Sequence, residues 1–455
     1  MLKKTLLLLT ISTLAVAQKG YKIEGRVANL QPTALVLTQY FNNESQPIDT
    51  TVSDATGRFI FADTYALEAG MYRIVGIGKG FDIVIDKSQY FQIALDAKDI
   101  VGTIQFKNSL ENSVMFDYQR SLRRRYARAL LYRQQLNISD DSDPRWVARF
   151  AAFNEEVKTA VDSLLKKYPL MLTTRFLKSF QEPRQPILPV QKLTAKDSAY
   201  LAQYARMHYF DNMFLNDNRM INTSTMPKRL DTFLKNLPPL PQDELVKTFD
   251  YILEKTKTAA DLRRYMVTVI AQRIENTSSV EMDGLYSHIV TKYVEGDAAN
   301  WDASTLQKIK ELRQIKAQVA IGHTYQNLTM TDINEKPVSI YDLKNKFTVV
   351  VVYDPDCSHC QEAAPKLVAF KQNTKQDVAI YALSVQPSLR PLTTFIEKYK
   401  TQDFINVRDA SARTQFGAMG IFEYPTIFVL DSNKKIIARY VKPEQLEGIL
   451  GQFVR

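Results

Sequence analysis

Cysteine is nearly absent from this 455-residue chain: it has two, Cys357 and Cys360, both inside DPDCSHCQEAAP, residues 354 to 365. A scaffold stapled by several disulfides is therefore excluded. A bond between two cysteines three positions apart closes almost no loop, so it would take little entropy from the unfolded chain. Histidine is scarce too. His208, His288, His323 and His359 stand in no His-x-x-x-His pair, which argues against the two cysteines being half of a zinc site. Beyond the first residues no apolar run of about 18 exists to span a membrane. Gly76, Gly78 and Gly80, in GIGKGFD, lack the spacing and the strand-to-helix setting of a phosphate loop and read as a turn.

What is present at the start is a secretory signal pattern. In MLKKTLLLLTISTLAVAQKG, Lys3 and Lys4 precede the apolar stretch Leu6 to Leu14, and Ala15-Val16-Ala17 offers a small-x-small cleavage site. Residues 1 to 17 are read as a signal peptide, leaving a mature chain with no integral membrane segment. Gln18, not cysteine, follows the cleavage site, so lipid anchoring is not expected. The expected location is the periplasm or cell envelope of a Gram-negative bacterium. The formal charge of +10 fits an anionic envelope surface or simple solubility better than nucleic acid, which an exported protein rarely meets. The densest basic run, SLRRRYARALLYRQQ, reads as a solvated helix face.

Hydrophobic patterning divides the mature chain into three parts, in line with roughly 150 residues per domain. Residues 18 to 109 alternate at period two, as in YKIEGRV, TALVLTQYF and TVSDATGRFIFAD, with a hairpin turn expected at Asp54-Ala55-Thr56-Gly57. They predict an antiparallel β-sandwich. Residues 110 to 318 are dominated by amphipathic helical segments broken at QEPRQPILPVQ and NLPPLPQDE, predicting a helical domain. From residue 319 the character changes again. FTVVVVYD is a continuous apolar run ended by an acid, the pattern of a strand buried on both faces. Helical segments alternate with the strands DVAIYALSV and TIFVLD, and the tail adds a turn at SNKK, the strand IIARYV and a last helix. A three-layer α/β/α domain follows, so the whole is a multidomain α+β chain.

The last part carries a resemblance. IGHTYQNLTMTDINEKPVSIYDLKNKFTVVVVYDPDCSHCQEAAPKL resembles the opening of exported thioredoxin-like proteins of the AhpC/TSA and TlpA (ResA-like) type, with Gly322, Leu343, Lys346, Cys357, Cys360 and Pro365 where that pattern asks for them. EYPTIFVLD is similar to the family's cis-proline loop, which would place Pro425 opposite the cysteines. The resemblance covers about the last 130 residues. It implies a thioredoxin-like fold and dithiol/disulfide exchange through Cys357 and Cys360. The implied partners are protein thiol or disulfide substrates and an envelope electron donor or acceptor. No cofactor is implied beyond a redox-active Cys357–Cys360 disulfide. Tyr424, Pro425 and Thr426 would face the substrate chain, with the Tyr424 backbone as a strand partner.

The chemistry follows from position. If Cys357 caps the helix, unpaired N–H groups and the helix dipole favour its thiolate, the attacking species, and Cys360 resolves the mixed disulfide. His359 would add positive charge, while Asp354 and Asp356 oppose it. The chain also departs from the family pattern. Asp356 stands where an aromatic usually precedes the first cysteine, and Val351 where thioredoxins bury an acid. Ala363 replaces a glutamate, with Glu362 one position earlier on another face. Proton transfer would then fall to water, Asp354 or Glu362. A peroxidase would need Thr or Ser at Asp354 and proline at Val350, which makes that activity a minor alternative. A scaffold protein using the last domain as an adaptor is the remaining one.

Overall fold

The computed structural model describes residues 20–41, 44–189, 194–275 and 280–453. The proposed signal peptide lies outside them. The described residues divide into two compact units, one reaching to residue 236 and taking in 255–262, the other made of 237–254 and the residues from 263 onward.

The first unit begins with two four-stranded sheets. One has the order β4-β1-β7-β8, from β4 (Arg58–Asp63), β1 (Tyr21–Ala28), β7 (Tyr90–Asp96) and β8 (Gln105–Lys107); the other is β3-β2-β5-β6, from β3 (Glu44–Val52), β2 (Ala34–Phe41), β5 (Gly70–Val75) and β6 (Phe81–Ile85). Alternation puts Tyr21, Ile23 and Val27 inside and Lys22 and Arg26 outside. Two details differ from the sequence expectation. β1 and β7 pair in parallel, so the layer is not wholly antiparallel. The Asp54 turn is present, with the Asp54 carboxylate accepting the Thr56 and Arg58 N–H groups, but β3 and β4 belong to different sheets. A tight turn fixes local chain reversal without fixing which neighbours each strand then pairs with. The GIGKGFD glycines do form a turn, all three with positive φ.

Helices follow, the longest being Leu110–Gln135 and Pro144–Lys167. The basic run lies on the first of these, and much of its charge is matched internally: Arg123 pairs with Asp99, and Arg125 and Arg128 with Glu156. Asn112, fully buried, holds the chain to β6 by accepting the Val84 N–H at 2.7 Å and donating to the Val84 carbonyl at 2.8 Å.

In the second unit, helices that include Gln242–Glu254 and Ala303–Gln318 precede a seven-stranded mixed sheet. Its order is β10-β9-β13-β12-β11-β14-β15, from β9 (Thr329–Asp332), β10 (Pro337–Ser339), β11 (Phe347–Tyr353), β12 (Val378–Ser384), β13 (Ile405–Arg408), β14 (Thr426–Leu430) and β15 (Ile436–Arg439). β11 lies inside the sheet, parallel to β12 and antiparallel to β14, and all seven of its residues are buried. Its β-branched run suits that position, where both faces pack. The helices Ser358–Asn373, Leu389–Tyr399 and Leu446–Gln452 complete a thioredoxin-like arrangement. The strand β13 was not evident in the sequence: it has four residues, two of them the buried polar Asn406 and Arg408.

One ion pair ties the sheet to the helix Val280–Ile289. The Arg439 guanidinium on β15, 1% exposed, donates to Asp283 and, at 3.1 Å, to the Val319 carbonyl. Burial pushes the Asp283 carboxyl up, and Arg439 works against that shift. Removing one partner of such a pair leaves the other charge without compensation, which costs more than losing both. Arg439→Leu is therefore expected to destabilise the second unit by ~3 kcal/mol, and Arg439→Leu with Asp283→Leu by clearly less. Denaturant unfolding of the two variants checks this; a double variant as unstable as the single would contradict it.

Candidate active site

The register of β11 against β14 builds the site. Val352 faces Thr426, so the loop before β14 arrives where β11 ends and the chain turns toward Cys357. Asp354 shapes that turn: its carboxylate accepts the Asp356 N–H at 3.0 Å and its carbonyl accepts the Cys357 N–H at 3.1 Å. Cys357 is then the N-cap of the helix Ser358–Asn373, and its carbonyl accepts the first helical bond, from the Gln361 N–H at 3.1 Å. No side chain caps that end. The unpaired N–H groups of the first turn and the positive end of the helix dipole thus lie beside the Cys357 sulfur, where negative charge is favoured.

The two cysteines are free thiols in unequal surroundings. Cys357 is half-buried, and its Sγ donates to the Tyr424 carbonyl at 3.5 Å. Cys360 is 2% exposed and packs in the core with Val351, Tyr353, Ala364 and Leu367. Burial pushes the Cys360 thiol up to about 12, partly offset by the Asp354 N–H directed at its sulfur. The Tyr424–Pro425 peptide is cis. The structure therefore brings Cys357, Cys360, Tyr424 and Pro425 together. Thr426 is buried, and its hydroxyl donates to the Glu423 carbonyl at 2.5 Å.

The flanking groups are placed as follows. His359 is exposed on the first helical turn. Glu362 is also exposed, with Lys366 one turn further along the helix. Asp354 and Asp356 are bound by a residue the sequence did not single out. The Gln386 amide donates at 2.8 Å to each of the two carboxylates, crossing from the segment after β12. A signal for it existed: in open sheets with parallel strands, functional groups gather just past the carboxyl ends of the strands, and Gln386 lies two residues beyond β12. Tyr424 also feels this region, its phenol pushed up by burial and by the nearby Asp354 charge. Among the described residues, no group of three or more His, Cys, Asp or Glu side chains is placed to hold a metal ion.

A model described as the AhpC/TSA family matches residues 321–439. The crystal structure of a domain of a possible thiol-disulfide isomerase from Cytophaga hutchinsonii is 32% identical, covering 30% of this chain and 92% of that one, with a TM-score of 0.28. Through its last domain, the chain belongs to the AhpC/TSA family. Thiol-disulfide oxidoreductase ResA of Bacillus thuringiensis is similar to this AhpC/TSA domain, 24% identical over 139 residues that make up 30% of this chain and 79% of the relative. A thioredoxin-like protein from Bacteroides caccae is 15% identical over 60% of this chain and 98% of its own, with a TM-score of 0.46. A second model, a domain of unknown function (DUF5106), matches residues 155–319, ahead of the AhpC/TSA domain. The chain thus carries a thiol-disulfide oxidoreductase-like domain with a Cys357/Cys360 pair, related distantly to ResA. No helix among the described residues is long and apolar enough to cross a membrane.

The unequal burial has a direct chemical readout. At pH 7 to 8, iodoacetamide should alkylate Cys357 and spare Cys360. Because burial raises the Cys360 pKa, its thiolate gains population only as pH climbs toward about 12 or the fold is lost. Peptide mapping after timed labelling decides this, and equal labelling of both cysteines at neutral pH would contradict it.

Proposed function

We propose that this protein is an exported thiol-disulfide oxidoreductase of the Gram-negative cell envelope, exchanging a dithiol for a disulfide with protein substrates. The observation that carries the reading is the asymmetry of the cysteine pair beside the Pro425 loop. One sulfur is accessible at a helix N-terminus, and the other is buried behind it. A structural disulfide has no use for such a difference, whereas a two-step exchange needs it.

In the first step the Cys357 thiolate attacks a substrate disulfide. A Cys357–substrate bond forms, the substrate S–S bond breaks, and one substrate thiolate leaves. In the second, Cys360 loses its proton and attacks Cys357 Sγ. The Cys357–Cys360 bond forms, the mixed disulfide breaks, and the second substrate thiolate takes up a proton. Two electrons have passed from the dithiol to the substrate, and an envelope donor must return them. Run backwards, the same steps oxidise a substrate dithiol, and the redox poise of the partners sets the direction. The Tyr424 backbone next to Pro425 is suited to pair an extended substrate segment as an added strand. His359, Asp354 and Asp356 adjust the charge at the mouth.

The expected results are concrete. Cys357→Ser abolishes thiol-dependent insulin reduction, and Cys360→Ser accumulates substrates linked to Cys357, released by dithiothreitol and visible on non-reducing gels of the periplasmic fraction. If wild-type protein neither reduces insulin nor responds to its thiols, and Cys360→Ser traps nothing, the enzyme reading fails and the scaffold reading takes its place. The envelope location has its own check. N-terminal sequencing of the mature protein from the periplasm should begin at Gln18, and recovery only from the cytoplasm with residues 1 to 17 attached would refute it.

A further inference from the structure

Behind Cys360 lies a small internal cavity of about 20 Å³, lined mostly by apolar side chains such as Leu367, Phe395 and Ala382. Its polar groups are few: the Cys360 sulfur, the Tyr353 side chain, Thr401 and Asn406. Asn406 is already engaged, donating to the Thr401 carbonyl at 2.7 Å and the Phe404 carbonyl at 3.1 Å. Tyr353 is not. Its residue is 3% exposed, its ring is held against Phe395 with centroids 4.6 Å apart, and its buried hydroxyl has no hydrogen-bond partner among the described residues. A buried hydroxyl left unpaired keeps its full desolvation penalty, so it calls for a use.

Cys360 presents the complementary need. It must ionise in an apolar setting to resolve the mixed disulfide, and Val351, not an acid that could take that proton, occupies the buried strand position nearby. We propose that the Tyr353 hydroxyl is the positioning donor that receives the Cys360 thiolate as it forms, through one water held in the cavity that both residues line. The cavity volume admits one water and no more. Tyr353 keeps its own proton throughout, since burial and the neighbouring Cys360 both push its phenol up. The proton that Cys360 releases goes, through solvent, to the departing substrate thiolate. The Cys357–Cys360 bond forms as the mixed disulfide breaks, so atoms and electrons balance without a further reactant.

This inference rests on the oxidoreductase reading and fails separately from it. The full-length chain and its Tyr353→Phe variant are compared in insulin reduction across pH 6 to 10, together with Cys357 alkylation and thermal unfolding. The expected outcome is that Tyr353→Phe slows resolution about tenfold, moves its pH profile upward and lets the mixed disulfide persist. Cys357 alkylation stays at the wild-type rate, and the unfolding temperature is equal or higher because an unpaired hydroxyl has gone. Replacing Tyr353 with a fluorotyrosine, a stronger donor, shifts the profile the opposite way. A Tyr353→Phe variant with wild-type resolution rate and pH profile overturns the proposal while leaving the enzyme reading intact. Absence of thiol-dependent activity in the wild type overturns the enzyme reading itself.

Discussion

Burial of β11 on both faces is the constraint on which the rest of the second unit depends. Seven consecutive buried residues leave the strand no register freedom, because a slip of one residue would exchange its two packed faces. Its end is therefore fixed in space, and so is everything that hangs from it. The turn at Asp354, the N-terminus of the cysteine helix, the approach of the Pro425 loop and the inward-pointing ring of Tyr353 all inherit their positions from this strand. Four successive valines carry out what reads in isolation as a monotonous stretch, and the chemistry begins where that stretch stops.

The same strand end separates two cysteines that are near neighbours in the chain. One helical turn carries Cys360 into the core while Cys357 stays at the rim. The start of the helix produces the difference: Cys357 is the extended N-cap at its edge, while Cys360, on the same face one turn along, already packs in the core. An accessible nucleophile and a protected resolving thiol thus require no large motion to be kept distinct. They require a helix that starts at the right residue, and the Asp354 turn sees to that.

Much of this was legible in the sequence, for identifiable reasons. The cysteine pair, the apolar strand before it and the Tyr-Pro-Thr loop are local patterns whose meaning survives without knowledge of neighbours, and they led to the right domain. Period-two alternation announced the strands near the start, but it could not show that β1 would pair in parallel with β7, because strand partners are chosen across the fold. β13 escaped notice because four residues with two polar ones give no periodic signal. Gln386 and Tyr353 escaped for a related reason. Gln386 belongs to no motif and Tyr353 only to a strand pattern; each matters through what the ends of adjacent strands or an internal cavity put next to it.

The pair between Arg439 and Asp283 bears on what counts as a module here. Sequence character changes near residue 319, and a family boundary falls at 321, so the last part of the chain looks detachable. Charge burial draws the line elsewhere. A guanidinium almost entirely shielded from water on β15 finds its counter-ion on a helix that precedes this boundary, and a further acceptor at the Val319 carbonyl itself. A fragment beginning at residue 321 would carry that cation into a hydrated gap or an apolar surface with neither partner. In dissecting such a protein, the smallest self-sufficient piece is the one that closes its buried electrostatic circuits, and it extends upstream of the family boundary to include the helix Val280–Ile289.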